Sequence, residues 1–242
     1  MNKSFLLLWL LLVVITGRSQ DATAPALPSR MQASTPSYGL PKVKGLIDLE
    51  QRKYGQSFAK STLPTGAYDS LSLQEKFTYA MIHPERYAQN CSLIPPQLFE
   101  PDKIFGTLIT TLYEHTLSNR QVSFLKDNRN AVMTWITSSV EESKKMGVNY
   151  KNAITIIDGW ELIPFMIKYY KTAKNDTDVL TTLMLLMKQG AFDAFTTASF
   201  YEQLYGKNSS YRSYVSYSPA TEQLLLKMAM DYYKKKSAAI PL

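Results

Sequence analysis

Residues 176–190, with the sequence DTDVLTTLMLLMKQG, decide the fold class of this 242-residue chain. Seven large apolar side chains fall between Val179 and Met187, and in an α-helix they would lie on almost every side. A helix that is apolar nearly all round is normally buried inside a protein. Asp176 and Gly190 are typical of the start and the end of such a helix. We therefore predict a buried central helix with other helices packed around it.

Helix-start signals recur on both sides of this stretch. Ser72 and Glu75 form a capping-box pattern, in which each side chain accepts a backbone N–H of the other. Ser118 is a second cap, and we expect its helix to run to about residue 145. Ser218 followed by Pro219 predicts the last helix, because proline suits the first helical position.

Three further helices complete the expected set. The first would begin at Pro101 and bury Ile104, Phe105, Leu108, Ile109 and Leu112. The second would run from residue 149 to about 171, with interruptions at Gly159 and Pro164, and the third would cover residues 192–204. Strand-like alternation is nearly absent. The sequence thus predicts an all-α protein, with a single bundle of roughly six to eight helices over residues 67–242.

Residues 20–66 precede this bundle. Up to about residue 38 the stretch is rich in Ala, Pro, Ser and Thr and has few large apolar residues. Such a composition cannot bury enough surface to order itself, so we expect a flexible Pro/Ser/Thr-rich segment. After residue 40, Leu46, Ile47 and Leu49 leave open a short helix or an arm that lies on the domain.

Residues 1–19 have the pattern of a secretory signal peptide. A basic residue precedes an apolar run from Phe5 to Ile15, and Gly17 and Ser19 supply the small residues before the cleavage point. The alternative is an uncleaved membrane anchor, but a helix of this length spans only about 16 Å, roughly half of a bilayer core. We expect cleavage before Gln20 and a mature chain, without a transmembrane segment, that is periplasmic or extracellular.

The charges exclude some partners and leave others open. The net charge of +7 comes from residues scattered along the chain, and no basic stripe recurs with stacking aromatics, so we expect no nucleic-acid partner. The run Lys234, Lys235 and Lys236 either complements the dipole of the last helix or makes a weak contact with an anionic surface. In a eukaryotic host the Asn-x-Ser/Thr sites would be glycan acceptors; they lie at Asn90, Asn175 and Asn208.

Cysteine and histidine are too few to suggest a metal centre. Cys91 is the only cysteine, so it cannot form an internal disulfide, and its surroundings favour a small buried hydrophobic residue. His83 and His115 are the only histidines, and neither has a partner at a ligand spacing. Because a tetrahedral zinc site takes three or four ligands, we expect no metal and no cofactor.

Asp158 and Glu161 are the candidate catalytic residues. If one helix ran through them, Pro164 would crowd the carbonyl of Trp160 and kink the helix beside two acids on one face. Such a pair could act as acid and base, or hold a sugar ring against Trp160. The alternative is structural: the two acids would cap the start of a new helix after residue 157.

Residues 205–217 have the composition of a recognition loop, in which tyrosine rings alternate with Ser, Gly, Asn and Arg. Together with Trp160, the candidate ligand-binding residues are Tyr205, Tyr211, Arg212, Tyr214 and Tyr217. The last three tyrosines are three residues apart, so a short helical turn would place them on one side. The alternative is a connecting loop whose rings only pin it to the bundle.

The sequence favours a non-catalytic binding or assembly module of the cell envelope or extracellular space, with a protein or saccharide partner. A hydrolase or lyase that acts on an envelope polymer, with Asp158 and Glu161 as acid and base, is the alternative. An exported domain with a purely structural role is the third hypothesis. No sequence motif identifies the ligand or establishes an enzymatic activity.

Overall fold

The computed structural model describes residues 29–54, 62–87, 102–109 and 115–239. The predicted signal peptide 1–19 and Cys91 lie outside these ranges. The described residues are mostly helical, as the spacing of apolar residues predicts. None of their helices is long and apolar enough to cross a membrane.

The described residues form helices of varied length and four short strands. The α-helices are α1 Leu40–Tyr54, α2 Thr65–Asp69, α3 Leu73–Ile82, α4 Asn119–Asp127, α5 Arg129–Ser143, α6 Val148–Ile156, α7 Ile163–Thr172, α8 Asp178–Gln189, α9 Asp193–Thr196, α10 Tyr201–Tyr205 and α11 Pro219–Ala238. Two antiparallel strand pairs join β1 Arg86–Tyr87 to β3 His115–Thr116, and β2 Lys103–Phe105 to β4 Tyr214–Ser216. Ser29–Met31 and Trp160–Leu162 are 3-10 turns.

Helix α8 is the buried helix that the sequence predicts. Val179, Leu183 and Met187 are completely inaccessible to solvent, and only Leu185 among its large apolar residues is half-buried. Helices α6, α7 and α11 and strand β2 pack around it. Full burial of one such side chain stabilises the fold by about 1.5–3 kcal/mol, so α8 contributes strongly to the main core.

The predicted helix caps are present. Ser72 Oγ accepts the backbone N–H of Glu75, and the Glu75 carboxylate accepts the N–H of Ser72 at 2.8 Å. Ser118 and Gln121 form the same reciprocal pair at the start of α4. Ser218 Oγ accepts a first-turn N–H of α11 at 3.1 Å. Each cap is worth about 1 kcal/mol and sets where its helix begins.

The prediction of a helix that begins at Pro101 is wrong, because residues 103–105 form strand β2. Ile104 and Phe105 pair with Val215 and Tyr214, and both β2 residues are buried. This pairing joins segments far apart in the chain, so local spacing carries no sign of it. Leu112, the last member of that predicted helix, lies outside the described residues.

The longer predicted helices are each divided. The helix expected from Ser118 to residue 145 breaks at Asn128, whose side-chain amide donates to the carbonyl of Phe124 at 2.9 Å. The region 149–171 splits into α6, a 3-10 turn and α7, with Pro164 in the first turn of α7 and not at a kink. Residues 192–204 form the short helices α9 and α10 in place of one helix.

Residues 29–38 pack on the domain, although composition predicts a flexible segment over 20–66. Arg30 and Ser34 are 6 % and 5 % exposed, and α1 buries Val43 and Ile47 against α3 and the residues around it. Polar side chains and backbone groups make hydrogen bonds that hold residues 30–34, and composition does not reveal them. We refer to residues 30–34 as the strap.

Candidate functional site

The predicted recognition stretch forms strand β4 and the loop before it, beside β2. Phe105 lies opposite Tyr214 in the ladder, with ring centroids 5.8 Å apart. Alternate residues of a strand share a face, which places Lys103 with Phe105. The Lys103 ammonium nitrogen lies 4.3 Å from the centroid of the Tyr214 ring. Strand pairing therefore combines a cation and an aromatic ring from distant parts of the chain.

Hydrogen bonds fix the loop that precedes β4. The N–H of Ser210 donates to Ser213 Oγ at 2.9 Å, and the N–H of Arg212 donates to Ser210 Oγ at 3.1 Å. The N–H of Gly106 donates to the carbonyl of Ser213 at 2.9 Å, which fastens the loop to the end of β2. A loop that is already ordered loses less entropy when a partner binds.

Tyr211 and Arg212 are exposed on this fixed loop. Tyr211 is 49 % exposed, and the Arg212 guanidinium carbon lies 5.3 Å from the centroid of its ring. Arg212 Nε also donates to the Tyr211 hydroxyl at 3.0 Å. We name Lys103, Tyr211, Arg212 and Tyr214 the Tyr–Arg surface. It combines flat amphipathic rings with positive charge, which suits partners that stack and accept hydrogen bonds.

Tyr205 and Tyr217, also predicted to bind ligand, are held by the domain itself. The Tyr205 ring packs 5.2 Å from that of Tyr201, and burial raises the pKa of its hydroxyl. Tyr217 donates to the buried carboxylate of Glu222, and this hydrogen bond raises the pKa of Tyr217. A helical turn that would place the three tyrosines on one side is not formed, because residues 214–216 are a strand. The contacts of these two rings are with the domain itself, so they fit rings that hold the loop on the bundle better than rings that bind a ligand.

Trp160 is a core residue. It is 7 % exposed, and its ring centroid lies 5.8 Å from that of Tyr233. The ammonium nitrogen of Lys236 lies 5.5 Å from the same ring. With so little of its surface exposed, Trp160 offers little area on which a sugar ring could stack.

The predicted acid pair is brought together, but an arginine holds it. Arg129 donates to both carboxylate oxygens of Glu161, and its Nε donates to the carbonyl of Ile157 at 2.8 Å. A further Arg129 N–H donates to the carbonyl of Asp158. Since Glu161 is engaged twice by a guanidinium, its lone pairs serve to fasten this turn. Neither acid caps a helix, because Gly159 precedes the 3-10 turn.

Asp158 is the less ordinary member of the pair. Its φ of +46° lies in the left-handed region, which only a few per cent of residues other than glycine adopt. Its Oδ1 is buried without a hydrogen-bond partner among the described residues. Burial raises the pKa of Asp158, although Lys236 and Arg129 oppose the shift.

The lysine run 234–236 lies in the last two turns of α11. Lys236 faces Trp160, and the Lys235 nitrogen lies 3.9 Å from a carboxylate oxygen of Asp193. Two of the three ammonium groups therefore interact with the domain itself, and basic residues in a last helical turn also complement the helix dipole.

A buried network around Glu85 is a feature that the sequence did not reveal. Arg120, Ser118 and Tyr79 all donate to its carboxylate, whose side chain is 2 % exposed. Burial alone would raise the pKa of Glu85, but these hydrogen bonds outweigh burial and lower it. Within the described ranges, no three His, Cys, Asp or Glu side chains gather as metal ligands would.

The chain matches no protein-family model, no curated protein and no solved structure. The geometry of the Tyr–Arg surface is therefore the basis of the functional proposal.

Proposed function

We propose that this protein is a non-catalytic binding or assembly module of the cell envelope or extracellular space, and that the Tyr–Arg surface contacts its partner. The observation that carries the proposal is the exposed pair of Tyr211 and Arg212 on a loop fixed by serine hydrogen bonds. Tyr and Arg are enriched at binding hot spots because they give large contact area with hydrogen-bonding ends. The partner is a saccharide or a protein.

Export is part of the same proposal. Residues 1–19 act as a cleaved signal peptide, and residues 67–242 form one helical bundle that works outside the cytoplasm. The test is the N-terminus of protein recovered outside the cytoplasm, measured by intact mass and terminal peptide sequencing. A mature chain beginning at Gln20 supports export, and a full-length chain that stays in the cytoplasm overturns it.

A polymer-cleaving enzyme is the second candidate, and Asp158 is the observation that favours it. A left-handed backbone, a buried oxygen without a partner and a raised pKa are features that also occur in general acids. Against it, the Glu161 carboxylate is engaged by Arg129. Turnover of an envelope polymer that Asp158→Asn suppresses, with folding preserved, would replace the binding proposal.

The binding proposal has a matched control within the chain. Arg86 and Tyr87 are another adjacent Arg–Tyr pair, and Tyr87 is 43 % exposed on strand β1. We would compare Tyr211→Ala/Arg212→Ala with Arg86→Ala/Tyr87→Ala against panels of envelope saccharides and secreted or envelope proteins. Both variants remove one tyrosine and one arginine from exposed positions, so the main difference between them is the surface that is changed.

The proposal expects a saccharide or protein that binds wild-type protein and the β1 variant but loses about tenfold or more in affinity with the loop variant, a loss typical of a hot-spot pair. Equal binding by both variants would remove the Tyr–Arg surface from the hypothesis. A well-folded protein that binds nothing in either panel would favour a purely structural role.

A further inference from the structure

A cleft of about 820 Å³ opens between the strap and the end of α7, away from the residues of the Tyr–Arg surface. Residues 31–34 of the strap form one part of its wall, and Tyr169 with residues 171–176 forms another. Residues 145–147 complete the lining. Ligand clefts for small organic molecules commonly enclose about 300–1,000 Å³, so this one has room for several sugar rings.

The strap wall is held firmly against the start of α6. The carbonyl of Gln32 accepts the N–H of Val148 at 2.9 Å, and Ser34 Oγ accepts the N–H of Gly147 at 2.8 Å. The Asn149 side chain exchanges two hydrogen bonds of 2.8 Å with the backbone of Ser34. The cleft is therefore formed before any ligand arrives.

The charge of the cleft is positive. Lys145, Lys171 and Lys174 line it and are exposed, and their ammonium groups have no ion-pair partner within the part of the chain that the structure describes. Among the described residues, Asp176 is the only acid in the lining, and its carboxylate is engaged by Lys151 at 2.6 and 2.7 Å. Lys151 is itself 1 % exposed, so the pair is fixed in the protein and neutralises Asp176.

The same cleft also offers surface for the body of a ligand. Met31 and Tyr169 supply apolar surface from two parts of the lining. The Tyr169 hydroxyl accepts the N–H of Met146 at 3.1 Å, which leaves its own proton for a ligand oxygen. Burial raises the pKa of Tyr169, so this proton is retained at neutral pH.

We propose that this cleft binds an oligosaccharide that carries several phosphate or carboxylate groups. Three lysines supply the counter-charge, the apolar walls accept ring faces, and the tyrosine hydroxyl donates to a sugar oxygen. A single inorganic anion would leave most of the volume empty. This site is separate from the Tyr–Arg surface and does not depend on the function proposed for it.

The test uses three probes: a trimer of galacturonic acid, a phosphorylated mannose disaccharide, and neutral maltotriose. Titration calorimetry at low ionic strength would compare wild-type protein with Lys145→Gln/Lys171→Gln/Lys174→Gln. The control is Lys44→Gln/Lys126→Gln/Lys234→Gln, which removes the same charge from exposed positions away from the cleft. The carboxylate and phosphate probes distinguish the two possible sources of negative charge.

We expect at least one anionic probe to bind the wild-type protein. Its affinity should fall about tenfold in the cleft variant and less than about twofold in the control, because each exposed ion pair contributes a modest amount. Tyr211→Ala/Arg212→Ala should leave this binding unchanged. If the cleft variant is unstable, protection of these three lysines from acetylation in wild-type protein by the bound probe is the second measurement.

Three results would overturn the proposal. The first is that neither anionic probe binds the wild-type protein. The second is equal loss of affinity in the cleft and control variants, which would mean a general effect of net charge. The third is equal binding of maltotriose, which would remove the role of the lysines.

Discussion

Arg30 and Asp178 form a buried ion pair, with Arg30 Nε 2.8 Å from Asp178 Oδ1 and side chains that are 7 % and 1 % exposed. The same guanidinium lies 4.1 Å from the centroid of the Phe105 ring and donates to the carbonyl of Thr107. One side chain thus connects the strap, α8 and β2. Since both charges are largely removed from water, their ion pair replaces part of the solvation that each has lost.

Replacing Arg30 tests this connection. Arg30→Ala leaves Asp178 buried without its hydrogen-bonded counter-charge, and we expect a loss of about 3–5 kcal/mol in the free energy of unfolding, measured with urea. Arg30→Ala/Asp178→Asn should lose less than the sum of the single variants, because the neutral amide no longer needs the guanidinium. Losses that simply add would mean that the two side chains do not stabilise each other.

Glu85→Gln should change how stability depends on pH. The pKa of Glu85 is lowered, so its ionised form stabilises the fold above the unfolded pKa of about 4.3, and this contribution is lost as the pH falls through the folded pKa. We expect the variant to lose about 2 kcal/mol at neutral pH, with the difference from wild type shrinking in acid. Urea unfolding across pH measures both curves.

The control for Glu85→Gln is Glu141→Gln, which makes the same change at an exposed position. Its effect should stay within about 0.5 kcal/mol at neutral pH. A pH-independent difference for Glu85→Gln would contradict the hydrogen-bonded carboxylate.

One glycine-to-alanine change should have opposite effects at two positions. A Cβ at Gly147 would lie 2.2 Å from the backbone nitrogen of Ser34, so Gly147→Ala must displace the strap and should cost about 1–3 kcal/mol. A Cβ at Gly45, inside α1, would meet nothing within 4 Å, and Gly45→Ala should gain about 0.5–1 kcal/mol of stability. Urea unfolding gives both values.

Hydrogen exchange locates the damage in Gly147→Ala. The Val148 N–H donates to the carbonyl of Gln32, so its exchange should accelerate selectively when the strap leaves. Unchanged exchange at Val148, with stability also unchanged, would show that the strap backbone does not pack closely against Gly147.

Asp158→Asn should not destabilise the protein at neutral pH. Burial raises the pKa of Asp158, so the folded state favours the protonated carboxyl. The stability that this form contributes is fully present below the unfolded pKa of about 3.9 and is lost as the pH rises through the folded pKa. Asparagine carries no charge, so it removes the cost of burying an ionised carboxylate at neutral pH, and it tolerates a positive φ. Thermal unfolding should give an equal or higher midpoint for the variant at neutral pH, and the difference should disappear in acid.

Glu161→Gln provides the contrast to Asp158→Asn, because it takes the charged partner from Arg129 and should lower the midpoint. A lower midpoint for Asp158→Asn would mean that the ionised carboxylate has a stabilising partner.

Local features of the sequence predicted much of the helical structure. The caps at Ser72, Ser118 and Ser218 depend on residues within one helical turn, and the burial of α8 follows from its own composition. Strand β2 could not be predicted in this way, since Lys103 and Phe105 become a strand only by pairing with β4. A partner so distant in the chain leaves no periodic signal.

The candidate site was predictable in part for the same reason. Tyr211 and Arg212 stand out by composition, and the structure places both at the surface. Lys103 was missed because strand pairing brings it to Tyr214. The acids at 158 and 161 were recognised, but their arginine, Arg129, lies on another helix, and sequence spacing does not report such a contact.

The Arg30–Asp178 pair also has a consequence for the order of events during synthesis. Arg30 is added to the growing chain 148 residues before Asp178, and at about 5–20 residues per second this interval lasts roughly 7–30 s. Arg30 of the strap therefore has no Asp178 to pair with while most of the domain is translated. The Arg30–Asp178 pair therefore forms late, and the N-terminal half of the nascent chain cannot form it alone.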